Sequence, residues 1–264
     1  MRIRRLPRGD RRAATAFVDL PYRLNAAAPQ WAPDGLYREQ FRRMDPARHP
    51  FYAHSEADFF LAEEGGEVVG RVAAIDNRRF KEHKGTAEAF FGYLEMVDDG
   101  AVAARLLDTV AEWASRRGLE ELSGPRGLLG FDGSVLVDGF EFPAVVGVPW
   151  NRPHYGPSIE GAGFAGDEDY LSGFMDTATA IPEAVMRLAD RVVAKGTYAV
   201  KTFDSRRELA AWAPRIKDAY LTSVAELDSF YPPTDEEIDD LLGTVLTIAD
   251  PSPFRIWGTS LAAR

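Results

Sequence analysis

"LEMVDDGAVAARLL", residues 94–107, reads as a strand that runs straight into a helix. Val102 and Leu106, with Val110 and Trp113 beyond them, repeat at helical spacing, and Gly118 suits the end of that helix. The junction is Asp98-Asp99-Gly100. Such a junction is where α/β proteins often hold a phosphate, because free backbone N–H groups and the positive end of the helix dipole meet there. Phosphate holders are usually glycine-rich and basic. This one has a single glycine and two acids, and the acids suit a plain helix cap equally well.

Working outward, "AEAFFGYLEMV" (87–97) is the whole strand, and "ADFFLAEEGGEVVGRVAAID" (57–76) is a pair of apolar strands around the turn Glu64–Glu67. Gly65 and Gly66 supply the positive φ that a tight hairpin needs. "LEELSGP" (119–125) is a short strand after the helix. Upstream, residues 2–6 read as a strand. Residues 10–28 read as a helix with Asp10 as N-cap and Ala13, Ala14, Phe17, Val18 and Leu20 on its apolar face. "LYREQFRRM" is a short helix that stops before Pro46. The pattern predicts a mixed α/β sheet flanked by helices.

Residues 126–149 are rich in glycine and apolar residues and read as a long loop with short strands, the kind of loop that usually carries function. "DYLSGFM" (169–175) reads as a further strand. After about residue 178 a second passage begins. It has a helix over 182–195 opened by Pro182, a strand over 197–203, and a helical stretch from Arg206 interrupted at Pro214. A helix over 235–248 follows, opened by the capping box Thr234/Glu237. Its order resembles the start of the chain, so the division expected is 1–178 and 179–264, the latter a partial second α/β unit. A half-unit of this kind leaves a strand edge and an apolar face open, and homodimerisation through residues 180–264 is the expectation.

Bulk composition narrows the function. The chain has 264 residues, 45% of them hydrophobic, and no cysteine, which removes disulfides, thiolate metal sites and a cysteine nucleophile. No run approaches the roughly 18–20 apolar residues of a membrane helix, and "MRIRRLPRGDRR" has no apolar stretch behind it, so no membrane partner is expected and the cytoplasm is the default location. A net charge of −10 disfavours nucleic acid as a partner. Arginines nevertheless crowd the first dozen residues and return at Arg38, Arg42, Arg43 and Arg48, either as a solvated face or as an anion site.

The order of these pieces resembles the GNAT superfamily of N-acetyltransferases. The residues that carry it are the hairpin "EEGGEVVGRVAA", the strand "FFGYLEMV", and Asn151, Tyr155, Gly163 and Phe164. More narrowly the chain is similar to bacterial tandem GNAT-like proteins, through "DPARHPFYAHSEADFFLAEEGGEVVGRVAAIDN", "FFGYLEMVDD" and "RRGLEELSGP". The resemblance implies a GNAT-like (acyl-CoA N-acyltransferase) fold, with acetyl-CoA or another acyl-CoA as donor. Leu94, Glu95, Met96 and Val97 then lie along the cofactor arm, with Asn151 beside it. It also implies that the usual pyrophosphate loop has been cut back to "DDG".

Acyl transfer from a thioester needs the amine deprotonated, the carbonyl polarised and the leaving thiolate protonated. Glu95 fits the base and Tyr155 the acid. Their alternatives are an ion-paired glutamate and a packed tyrosine. His154 neighbours Tyr155 and titrates near neutrality. Asp132 and Asp138 either face an amine or form turns. His49, His54 and His83 show no metal spacing, and no metal is expected. The reading is a GNAT-type N-acyltransferase acting on a small amine or amino acid. Its alternatives are a transferase of the Fem type that draws its acyl group from a donor other than CoA, and a GNAT-shaped binding protein without catalysis.

Overall fold

The computed structural model describes residues 1–130, 133–145, 147–173, 180–196, 198–227, 230–251 and 255–259. The chain divides into two units, residues 1–169 with 227–233, and residues 170–226 with 234–264.

The first unit contains β1 (Arg2–Arg5), α1 (Arg11–Asn25), α2 (Tyr37–Arg43), β2 (Glu56–Glu64), β3 (Glu67–Asp76) and α3 (Arg78–Lys84). It continues with β4 (Glu88–Met96), α4 (Gly100–Ser115), β5 (Glu121–Ser123) and α5 (Tyr155–Gly161). The strands form one sheet in the order β1-β2-β3-β4-β5. The first four are antiparallel neighbours, and β5 runs parallel to β4 after the crossover through α4. The hairpin turn between β2 and β3 holds Gly65 and Gly66 at φ 59° and 90°.

Strand alternation sends side chains to both faces, and both are covered. On one face Val102, Leu106, Val110 and Trp113 of α4 pack on Phe60, Val72, Phe91, Leu94 and Met96. On the other, Phe17 of α1 and Phe80 of α3 pack on Phe59, Leu61, Ala73, Ile75 and Phe90. Each such large apolar side chain contributes about 1.5–3 kcal/mol by leaving water. The segment 230–232 returns to this unit: Asn77 Nδ2 donates to the Tyr231 hydroxyl at 2.8 Å, and Arg79 donates to the Pro232 carbonyl at 2.9 Å.

Three elements differ from the sequence expectation. Helix α3 was not legible by apolar period. It exists because Asn77 caps Phe80 N at 3.0 Å and Gly85 closes it at φ 70°. The loop over 126–149 forms no strand among its described residues, only an isolated bridge between Val145 and Val148. Residues 169–173 of "DYLSGFM" are exposed and form no strand; the last two residues lie outside the described set.

The second unit contains α6 (Glu183–Ala194), β6 (Tyr198–Thr202), α7 (Arg206–Ala211), α8 (Ala213–Val224), α9 (Asp235–Ile248) and β7 (Arg255–Thr259). β6 and β7 pair antiparallel. Pro214 stands in the first turn of α8, where its missing N–H costs nothing. Thr234 and Glu237 form the capping box of α9. The buried cluster is small: Phe203, Leu209 and Ala249.

Candidate active site

The site is made by an irregularity in β4. Arg71 faces Glu95 and Ala73 faces Gly92, so Val72 of β3 opposes two residues, Tyr93 and Leu94. Tyr93 takes up the extra length at φ 52°, a conformation that costs a non-glycine residue about 1 kcal/mol or more. Bulges of this kind bend a strand and re-aim its side chains. On its other side β4 pairs with β5 at Glu88–Phe90, where β5 ends. The chain after β5 crosses there, with Arg126 N donating to Phe91 O at 2.8 Å. Gly92 is required at that crossing, because a Cβ would lie 2.0 Å from the Arg126 carbonyl oxygen. Past the crossing, β5 no longer pairs the edge of β4, and this notch in the sheet ladder is closed by α5, whose buried Tyr155 meets the Met96 backbone. Four antiparallel strands and a parallel fifth after a helical crossover, flanked by helices, give the mixed sheet that the sequence resemblance implies. The chain is GNAT-like in fold.

In this GNAT-like sheet, Glu95 and Tyr155 meet at the notch. Alternation points Leu94 and Met96 into the α4-side core, where both are buried, and turns Glu95 to the α1 side. Tyr155 is 4% exposed, and its hydroxyl donates to Glu95 Oε2 at 2.6 Å. The same hydroxyl accepts from Met96 N at 3.2 Å. His154 Nε2 lies 3.3 Å from the Met96 carbonyl, and its ring sits 4.8 Å from that of Tyr155. Thus both polar groups of the Met96 backbone face the notch, whereas Val97 N donates the other way, to Val69 O at 3.0 Å.

Three residues that sequence reasoning passed over complete the cluster. Asn25, at the last turn of α1, donates to Pro21 O at 3.0 Å and to Glu95 Oε2 at 3.5 Å. Arg152 donates to Asn25 Oδ1 at 3.1 Å and to the Leu24 carbonyl. Arg71, 6% exposed, donates to Phe17 O at 2.7 Å and lies 4.7 Å over the Phe17 ring. That last bond has a cause in the sequence. Pro21 has no N–H, so the Phe17 carbonyl four residues earlier lacks its helical donor, and Arg71 supplies one. The signals were present as an arginine inside an apolar strand and a proline inside a helix.

Burial raises the Glu95 carboxyl above the ordinary carboxylate range, against the opposing pull of Arg71, the hydrogen bonds from Tyr155 and Asn25, and Arg152. Burial, and next the neighbouring Glu95 charge, push the Tyr155 phenol well up. Burial lowers Arg71, and Glu95 opposes that shift.

The other candidates have local work. Asn151 accepts from Leu136 N at 2.7 Å and donates to Arg152 O at 3.1 Å, tying the glycine-rich loop to the start of α5. Asp138 accepts from Gly139 N at 2.9 Å, a turn contact, and Asp132 lies outside the described residues. His49 caps Phe51 N and His54 meets Ser55. Among the described residues, no group of three or more histidines and acids is placed to hold a metal ion. At the junction that opens α4, Asp99 accepts from Ala101 N at 2.8 Å, and both aspartates are exposed. Arg4, Arg5, Arg42, Arg43 and Arg48 each pair with a carboxylate. Among the described residues no helix is long and apolar enough to cross a membrane.

No family model matches the chain. The chain is 30% identical over 238 residues to the bacterial ceramide synthase of Caulobacter vibrioides, a match that spans 89% of this chain and 61% of that protein. It is 29% identical over 184 residues to protein YghO of Escherichia coli, across 69% of this chain and 47% of that one. The chain therefore spans about half to three fifths of these relatives. Two solved structures are similar at low identity. One is an aminoglycoside acetyltransferase from an uncultured soil metagenomic sample, in complex with sisomicin (14% identity, 67% of this chain, 96% of that chain, TM-score 0.39). The other is named a predicted acetyltransferase with acetyl-CoA, from Clostridium acetobutylicum (10% identity, 66% of this chain, 95% of that chain, TM-score 0.38).

Proposed function

We propose that the protein is an N-acyltransferase that moves an acyl group from acyl-CoA to an amine. The observation that carries the reading is the 2.6 Å hydrogen bond between Tyr155 and Glu95 at the end of β4. It puts an acid and a base side by side, next to a backbone N–H that can polarise a carbonyl. Glu95 takes the proton from the attacking amine. The Tyr155 hydroxyl gives up the Met96 N–H, and the thioester oxygen takes its place as the acceptor. As the new C–N bond forms and the C–S bond breaks, Tyr155 gives its proton to the departing thiolate. Glu95 then returns its proton to the phenolate along the bond they share, and the site is reset.

The electrostatics order these events. Burial, and next the charge of an ionised Glu95, hold the Tyr155 proton in place. Once Glu95 has taken the amine proton that charge is gone, and Tyr155 becomes a stronger acid when the thiolate needs one.

The β4 notch suits the thioester end of the donor, through the Met96 backbone, Tyr155 and His154. The α4 junction does not suit a pyrophosphate. Asp99 already occupies the Ala101 N–H, and two exposed acids face the solvent there. This favours a weakly held CoA, and it is also the observation that favours the second reading, a donor other than CoA. The relative at 30% identity is named a bacterial ceramide synthase, and we take long-chain amines from that name as candidate acceptors. Such amines therefore head the acceptor panel, ahead of small amines and amino acids.

The test is an acyl-transfer assay with short- and long-chain acyl-CoA against that panel. Glu95→Gln and Tyr155→Phe are each expected to lower kcat by about 10²–10⁴-fold. The wild-type rate should rise with pH through a limb set above the ordinary carboxylate range, since the base works only when ionised and burial raises Glu95. Full activity in both variants would end the reading.

A further inference from the structure

We infer that Asn25 is a positioning residue for Glu95, clamped by Arg152, with Arg71 as a fixed charge on the neighbouring strand. The inference rests on the acyltransferase reading for its meaning, but its geometry stands alone.

A glutamate in a notch has three rotatable bonds and needs more than one contact to hold a single orientation. Tyr155 supplies a contact from α5. The second comes from α1, where Asn25 is 3% exposed and has its amide fully engaged. Its nitrogen donates to Pro21 O and Glu95 Oε2, and its oxygen accepts from Arg152 Nε. With the oxygen held by a cation, the amide cannot flip, so its N–H₂ must face the carboxylate. Arg152 is itself fixed by the Leu24 carbonyl, one residue before Asn25. The chain Arg152–Asn25–Glu95–Tyr155 therefore closes on itself, since Arg152 and Tyr155 belong to one short stretch. It ties the end of α1, the bulged end of β4 and the start of α5 around one carboxylate.

Arg71 is the counter-charge and is equally fixed. It is the register partner of Glu95 on β3, and it is anchored at the Phe17 carbonyl that Pro21 leaves without a donor. Its Nε is buried without a hydrogen-bond partner. The groups that act on Glu95 are thus Arg71 from β3, Asn25 from α1, and Arg152 and Tyr155 from the α5 stretch. Tyr93 and Asp34 act in turn on Arg71, and Tyr22 lies in the field of Arg71.

The test reads Glu95 directly and needs no substrate. The protein is labelled with ¹³C at glutamate side chains, the Glu95 carboxyl signal is assigned by its loss in Glu95→Gln, and it is titrated in wild type, Asn25→Leu, Asn25→Ser and Arg152→Gln. Each substitution removes an interaction with the charged form, so the midpoint is expected to rise by roughly one unit in each variant. Asn25→Ser guards against misfolding of the leucine variant. Unmoved midpoints in folded variants would overturn the inference. The assay adds the functional arm. Asn25→Leu should lower kcat about tenfold with KM little changed, and should shift the acidic limb of the rate profile upward by the same amount as the titration. A uniform loss at every pH with the limb in place would also overturn it. Loss of the acyltransferase reading alone would appear instead as moved midpoints in a protein whose turnover is indifferent to Glu95→Gln.

Discussion

The two units of this chain are built from similar elements and reach different depths of packing. The first places five strands between two buried layers, so most side chains of β3 and β4 lie in one core or the other. The second pairs two strands and buries Phe203, Leu209 and Ala249. Its helix α6 has a strongly apolar side and buries none of it: Val185, Met186, Leu188 and Val193 are all exposed. Amphipathic pattern specifies a helix with a face to hide, and only a partner surface turns that pattern into stability. The hydrogen-bonded pair Glu95 and Tyr155 lies in the deep unit, where burial can raise a carboxyl and fixed neighbours can aim it. A site of that kind needs a scaffold whose backbone does not give.

The comparison can be broken most sharply at Gly92. A Cβ there would press on the backbone of Arg126, which cannot swing aside as a side-chain tip could. Gly92→Ala is expected to destabilise the first unit by about 3 kcal/mol, measured by denaturant unfolding. A neutral result would mean the crossing after β5 is loose. Next in size is a matched pair of core truncations. Leu106→Ala, at the centre of the α4 face, should cost about 3–4 kcal/mol, and Leu209→Ala in the second unit nearer 2 kcal/mol. Equal losses would show that the small cluster is packed as tightly as the large one. The smallest effect is expected on α6. Leu188→Gln should change stability by no more than about 0.5 kcal/mol, and a large loss would show that its apolar side is covered in solution.

Sequence pattern alone carried much of the fold. The Gly65-Gly66 hairpin, the long helix after Asp99 and the capping box at Thr234 were legible because each is fixed by contacts within a few residues. The glycine-rich passage after β5 was read too generously, since strands need a neighbour's backbone and local composition does not supply one. Helix α3 was missed because its signals are a cap and a closing glycine with only one buried side chain, Phe80, between them.

The same division holds at the site. The resemblance named Glu95 and Tyr155, and the structure places the two in hydrogen-bond contact; the aspartates at the α4 junction were legible as a helix cap, which Asp99 provides. Asn25, Arg71 and Arg152 could not be read, because they lie 70, 24 and 57 positions from Glu95 and nothing local ties them to it. The bulge at Tyr93 turned Glu95 toward them, and the missing N–H of Pro21 gave Arg71 its anchor. The sequence by itself determined which elements form and which chemistry the residues can do. The tertiary structure decided which of them share one carboxylate, since hydrogen bonds and charge act through space and are indifferent to distance along the chain.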